Sequence, residues 1–466
     1  MSVAPLNLPW ATAERAQATS RVLGEPEWLL TERMDAFERL GRLPTEPNQL
    51  FTPYLDLRSV SFGAVTPIEP IASAEAGGEA GPEALPEGAA ALISVGPDGR
   101  VHVSLGDTAR AIGLVAGTFG DILATRPELV RPIIEAGRTV PEDDAFGQAA
   151  RALASVGIFI HVPAGAALAD PIVLRWTAGE AGKALLSRTV LSLGEAAQAL
   201  VFEEQVGSDG SVGTGDAGSE AEAATAQWWG TTEIDLAAGA VLEFTGEQDF
   251  GPDTAAFASR RARLARDASV AWAIASVGGR LHRSRVDNEL DGRGATVRQV
   301  EIGFGDGRQL FDLTSYTRHI GQDTTSDLLS KGVFTGRSRG YIKGMIEIAR
   351  SAKGTDTFLG EFSMLLERTA RSVTIPSLEI DQPDVRRAMH SSSVGPIDET
   401  QVFYLMSRGL SRDAARRAIV LGFLEPVVAR IPLPAAQDRL RALLERKWPS
   451  GSGGQESGSP GVSRAA

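Results

Sequence analysis

From Gly157 to about Ile380 the chain alternates short apolar runs with Gly, Ala and Asp turns. Ile158-Phe159-Ile160-His161-Val162 and Pro171-Ile172-Val173-Leu174 are examples. Apolar positions recurring every second residue predict short strands with a buried face. One small motif recurs among them: Gly or Asp, then Ala, then alternating apolar positions. It occurs at Gly239-Ala240-Val241-Leu242, Asp267-Ala268-Ser269-Val270 and Gly294-Ala295-Thr296-Val297, so its alanines lie 28 and 27 residues apart. Ala166 and Ala197 read as earlier members and Ala370 as a later one. Repeats of this length with turn–strand–turn–strand content predict a solenoid in which each coil buries its face on the next. The expected core is therefore a β-helix, with a β-sandwich as the alternative.

The flanks follow the helical period. Trp28, Leu30, Met34, Phe37 and Leu40 recur at helical spacing between Pro26 and Gly41. Leu92–Val95 and Val101–Leu105 flank Pro97-Asp98-Gly99 and predict a hairpin. Phe119 to Ala136 and Ala145 to Ala154 read as helices. After Ile380 a polar loop is expected to hold His390, the last histidine of the chain. Asp398 with Gln401 then forms a capping box, and Gly409 supplies the stop. Ser411 caps the next helix, with Ala415, Ile419 and Phe423 on one stripe, and Pro426 should kink or restart it. A further short helix carries Leu440, Leu443 and Leu444. The expected organisation is mainly β. A helical and mixed region covers 1–156, with a flexible linker at 71–90. The β-helix core covers 157–385 with a mobile insertion at 208–223, a helical domain covers 386–448, and a disordered tail covers 449–466.

Composition narrows the chemistry. The chain has 46 basic and 59 acidic residues, a net charge of −13, and no evident basic patch, so neither nucleic acid nor an anionic membrane is expected as partner. It has no cysteine, which excludes disulfides, thiolate nucleophiles, cysteine zinc sites and a conventional iron–sulfur cluster held by this chain alone. No run approaches the roughly 18 apolar residues of a membrane span, and the first twenty residues lack a signal-peptide core, which is compatible with the cytosol. Phosphate-loop and HExxH motifs do not occur, and no GxSxG nucleophile elbow is expected. His390 is the one histidine placed where strand gives way to helix, a position suited to a metal ligand or an ordinary surface side chain. A carbohydrate-active β-helix would have to recruit Arg283, Asp287 and His319 along one face. A purely structural solenoid adaptor is the blander alternative.

Several segments together resemble the SufB/SufD family of the SUF iron–sulfur cluster assembly system. They include Pro376-Ser377-Leu378-Glu379-Ile380, His390, Gly395-Pro396-Ile397-Asp398, Phe403-Tyr404-Leu405-Met406-Ser407-Arg408-Gly409 and Gly422-Phe423-Leu424. Upstream, Gly157 to Gly165 and Lys331-Gly332-Val333-Phe334-Thr335-Gly336 resemble the family's β-helix segments, and Glu25-Pro26-Glu27-Trp28 its start. The resemblance implies a β-helix flanked by helical regions and a non-enzymatic scaffold role. It implies pairing with a SufB-like subunit, docking of a SufC-like ABC ATPase, and a homodimer when the chain is isolated. It places His390 at the subunit interface, where a transient iron–sulfur cluster forms, with no cofactor held tightly by this chain alone. It points to Phe403, Tyr404, Leu405, Arg408, Ala415, Ile419 and Phe423 as the ATPase-docking residues. The absence of cysteine favours a SufD-like over a SufB-like subunit. The family's Cys-Ser before the histidine is Ala388-Met389 here, and its Gly-Ala-Thr after it is Ser391-Ser392-Ser393.

Overall fold

The structure is a computed structural model that describes residues 4–72, 83–135, 141–207, 225–430 and 433–448. The expected insertion at 208–223, the tail at 449–466 and the centre of the linker lie outside the described residues. Sixteen strands, from Val156–Val162 to Arg387–Pro396, alternate between two parallel sheets. They form a β-solenoid of about eight turns. Coils stack in strict register, with Leu242 opposite Val270 and Val270 opposite Val297.

The recurring motif is the corner of each coil. Ala196, Gly239, Asp267, Gly294, Asp323 and Gly354 have φ of 55°, 68°, 56°, 74°, 56° and 75°. That left-handed turn suits Gly and is tolerated by Asp. The next residue turns inward: Ala197, Ala240, Ala268 and Ala295 are all fully buried. Thr324 and Thr355 take this place in the last two such corners, equally buried. Ala370 is not a member of this series. It precedes Arg371–Ile380, a strand of the other sheet, and so lies at the opposite corner; a small residue suits both. Coils approach closely at these turns, where a Cβ on Gly292 would lie 2.0 Å from the backbone nitrogen of Arg266.

Inside the coil, Leu242, Phe244, Val270 and Trp272 of one sheet meet Ile234, Leu236, Leu264 and Leu290 of the other. The outer faces are covered by the two helical regions. Helix Ala145–Leu153 stacks Phe146 on Trp229 and Phe257 at centroid distances of 5.6 and 5.0 Å. Helices Arg412–Val428 and Pro434–Arg446 set Val420, Leu424, Val427, Leu440 and Leu443 in one apolar cluster with Ala275, Ile302 and Phe304.

Local differences from the expected elements have local causes. Phe119 to Ala136 holds two helices, Phe119–Thr125 and Pro127–Glu135. Pro127 disfavours the helical conformation at Arg126, which sits at φ −143° and ψ 51°. Helix Glu27–Arg42 buries Leu29, Arg33, Ala36 and Leu40, a face rotated from the expected stripe. Arg33 is admitted there because both oxygens of Glu25 accept from its guanidinium at 2.6 Å. Pro426 does not restart its helix, which runs on to Val428. So near a C-terminus a proline forfeits a single backbone bond.

The two ends of the solenoid differ. At its start the predicted hairpin, Ala91–Val95 with Val101–Leu105, is present and joins Ile172–Ala178. Val115–Thr118 runs antiparallel along Val156–Val162. At the far end, Arg371–Ile380 and Arg387–Pro396 terminate their sheets, each with one neighbouring strand among the described residues. Arg387–Pro396 is largely open to solvent, and Arg371–Ile380 is mostly half-buried. Uncovered edges of this kind are templates for pairing with another chain.

Candidate interaction sites at the open end of the solenoid

His390 lies on a strand, not in the loop expected for it. Arg387–Pro396 pairs in parallel with Asp356–Leu365 and sets His390 opposite Leu359. The strand was illegible because Ser391, Ser392 and Ser393 interrupt any apolar alternation, and no further coil covers that side among the described residues. Ala388 packs against the interior cluster. Side chains alternate along a strand, so His390 belongs to the same inward row. It is nevertheless exposed, because its coil is the last. Among the described residues no group of three His, Asp or Glu side chains is placed to hold a metal ion. His390 thus offers an imidazole at the rim, and any further ligands would have to come from elsewhere.

Behind the rim the interior becomes polar. One inward row runs in register through Glu203, Gly246, Ile274, Glu301, Ser330, Glu361 and Ser392. Glu203 is held by Arg260 at 2.6 Å and accepts from the Trp176 indole at 3.2 Å. Burial pushes the Glu301 carboxyl up to about 7 and the Glu361 carboxyl up to about 8. His282 is fully buried, and desolvation, reinforced by Arg260, pushes it down to about 3. Sequence reasoning passed over this row. Its only signal is an acid where the two-residue period calls for an apolar residue, as in Val297-Arg298-Gln299-Val300-Glu301.

The helices after the last strand carry the second surface. Asp398 caps helix Glu399–Ser407 by accepting from the Thr400 amide at 2.8 Å, and Ser411 caps Arg412–Val428 by accepting from Ala414 at 3.2 Å. Phe403 is 71% and Tyr404 56% exposed, with Met406 and Leu410 exposed beside them. The Arg408 guanidinium lies 5.2 Å from the Tyr404 ring centroid and donates to its hydroxyl at 3.2 Å. Leu405 packs partly on the cluster beneath. Ile419 and Phe423 are half-buried and line a recess with Met364 and Pro396. Lys331 donates to the Phe423 carbonyl at 3.1 Å and sits 4.5 Å from its ring centroid. Ala415 departs from the expected docking set. It is fully buried, because helix Arg412–Val428 turns that position onto the apolar cluster. Phe403, Tyr404 and Arg408 are therefore the freely presented members.

The residues a carbohydrate-active solenoid would need are not brought together. Arg283 points outward to Asp144 at 3.4 Å, and Asp287 pairs with Arg285 at 2.8 Å. His319 shares the inward row of Leu290 and is held by Thr324 at 2.8 Å and Ser326 at 3.0 Å. Burial pushes it down to about 4.

Comparison with known proteins agrees with this geometry. Residues 175–423 match the family described as SUF system FeS cluster assembly, SufBD core domain. The chain belongs to this family. The matched SufBD core runs from the strand Ile172–Ala178 into the helix Arg412–Val428, so it includes both the open end and the exposed helix. An iron–sulfur cluster assembly SufBD family protein of Mycobacterium bovis is 30% identical over 206 residues, which is 43% of this chain and 52% of that protein. Two such proteins of Mycobacterium leprae are each 28% identical. One matches over 222 residues, 46% of this chain and 57% of the relative; the other over 213 residues, 46% of this chain and 24% of the relative. The matches thus span about half the length of these curated relatives, or less. None of the described helices is long and apolar enough to cross a membrane.

Proposed function

We propose that this chain is a SufD-like, non-catalytic scaffold subunit that works in the cytoplasm. It pairs with a SufB-like subunit through the open end of its solenoid and docks a SufC-like ATPase through the helices beyond. The observation that carries the reading is the last coil, whose two strands present unpaired edges with His390 in the inward row. A second β-solenoid added there would continue both sheets and cover Ile380, Met389 and Val394, which are exposed apolar residues. Without that partner, the same edges suit a second copy of this chain. The absence of cysteine supports the SufD-like assignment, since this chain has no thiolate to hold sulfur or iron. The iron–sulfur cluster is then cargo built between subunits, with His390 as this chain's ligand to it.

Two experiments test the two surfaces separately. Phe403→Glu with Tyr404→Glu is expected to weaken co-purification with the ATPase at least about tenfold, because charge replaces exposed aromatic anchors. The melting temperature should not change, since both side chains project into solvent. Retained binding would move the docking surface elsewhere. Deleting everything after Gly395 is the poorer experiment, because it would also strip Val420, Leu424 and Leu440 from Ile302 and Phe304. The second test is His390→Ala, which should lower the iron and sulfide content of the assembled complex while leaving subunit pairing intact. Unchanged content would leave His390 as a solvent-facing side chain with no part in assembly.

A further inference from the structure

The chain is strongly acidic, yet one corner of its solenoid is built from arginines. The turns that lead into successive strands of one sheet carry Arg280, Arg308 and Arg337. These residues are 28 and 29 positions apart in sequence, one coil each. Stacking brings neighbouring coils to about 4.8 Å. The turns are held tightly: the Arg337 amide donates to the Gly307 carbonyl at 2.7 Å, and Ser338 Oγ donates to the carbonyls of Gly305 and Thr335 at 2.9 and 2.7 Å. Arg339 opens the next strand, and Arg58 reaches in from the N-terminal region. Together they border a recess of about 570 Å³, in which five of the eight lining residues are arginines and the single acid is Asp56.

Asp56 is fully committed. It pairs with Arg58 at 2.6 Å and with Arg339 at 3.0 Å. Arg308 and Arg337 are exposed and make no ion pair among the described residues. Like charges within a Debye length, about 8 Å at physiological salt, repel one another. Two unpaired guanidiniums on adjacent coils, beside three more, are therefore electrostatically unfavourable until an anion joins them. The planar guanidinium fork matches the paired oxygens of a carboxylate or a phosphate group, and a phosphate brings the higher charge to set against several arginines.

We propose that this corner binds a small phosphate-bearing ligand, gripped by Arg308 and Arg337 and flanked by Arg58, Arg280 and Arg339. The site is independent of the SUF reading and of both surfaces described above. A small ligand fits better than a nucleic acid for two reasons. The recess is shallow and open to solvent, but it is of small-molecule size. An extended polyanion would also run out over a molecule whose net charge is −13, whereas a compact one feels mainly the local field.

The test is calorimetric titration of the full chain with pyrophosphate and, separately, with inorganic phosphate. Saturable one-site binding of pyrophosphate is expected, weakening as salt rises. Arg308→Gln with Arg337→Gln should lower its affinity at least about tenfold at an unchanged melting temperature. Arg350→Gln with Lys353→Gln, an equal charge change at the opposite corner, should leave it unaltered. Tighter binding of pyrophosphate than of phosphate would support a ligand spanning more than one arginine. Absence of pyrophosphate binding at millimolar concentration would overturn the proposal. So would an equal loss in the control variant, because net charge alone would then account for binding. Single-stranded DNA or RNA binding more tightly than pyrophosphate, and lost in the Arg308/Arg337 variant, would overturn the small-ligand assignment in favour of a nucleic acid.

Discussion

Replacing Glu203 by Ala is expected to destabilise the fold by about 3–5 kcal/mol, read as a fall in the urea midpoint. The Arg260–Glu203 pair is 2.6 Å long, and its side chains are 2% and 1% exposed. Removing the carboxylate leaves the Arg260 charge in the interior with its closest counter-charge gone. It also leaves the Trp176 indole without the acceptor it holds at 3.2 Å. Glu301, which interacts electrostatically with Arg260, can offset part of the loss only by ionising in its own buried site. The companion variant decides whether the charge is at fault. Glu203→Leu with Arg260→Met removes both ions at similar volume and should recover most of the lost stability. If the double variant is as unstable as Glu203→Ala, packing rather than electrostatics holds this layer.

Glu361→Gln is expected to stabilise the protein by an amount that grows with pH. Burial raises the folded-state value of this carboxyl from about 4.5 to about 8. Below pH 4.5 both folded and unfolded chains keep the proton, so the group contributes nothing to pH dependence. Between about 4.5 and 8 the unfolded chain releases its proton first. Stability then falls as pH rises and levels off above 8. Glutamine stays neutral throughout and escapes this loss. The variant should match the parent near pH 4.5 and exceed it by on the order of a few kcal/mol at pH 9. Glu301 and Glu247, each pushed up to about 7 by burial, act in the same direction, so the parent itself should melt lower at pH 9 than at pH 5. Melting curves at the two values check both statements. An equal difference at pH 5 and pH 9 would mean that the Glu361 carboxyl reaches solvent.

Parts of this architecture were legible because their cause is local. A left-handed corner followed by an inward alanine is a backbone requirement, so Gly239-Ala240 and Asp267-Ala268, repeated at one-coil spacing and followed by alternating apolar residues, announce the coil. Asp398 and Ser411 announce helix starts because capping involves only the next turn. The strand that carries His390 escaped notice for the opposite reason. Its hydrogen bonds come from Asp356–Leu365, and its open side gives the sequence nothing to bury. Ala415 looked available because a helical stripe does not say which of its members the neighbouring sheet will cover.

By itself the sequence determined the β-solenoid, its helical flanks and, through its motifs, the SufBD family. These follow from residues adjacent along the chain or repeated at a fixed period. Only the tertiary structure decided which end of the solenoid is capped, that the C-terminal helices fold back over Ile302 and Phe304, and that Glu203, Glu301 and Glu361 share one buried row. It also brought Arg280, Arg308 and Arg337 onto one corner. Periodicity reports that a face is buried but not what buries it. Register between coils, which converts a spacing of 28 or 29 residues into one of about 4.8 Å, is fixed only when the whole stack forms.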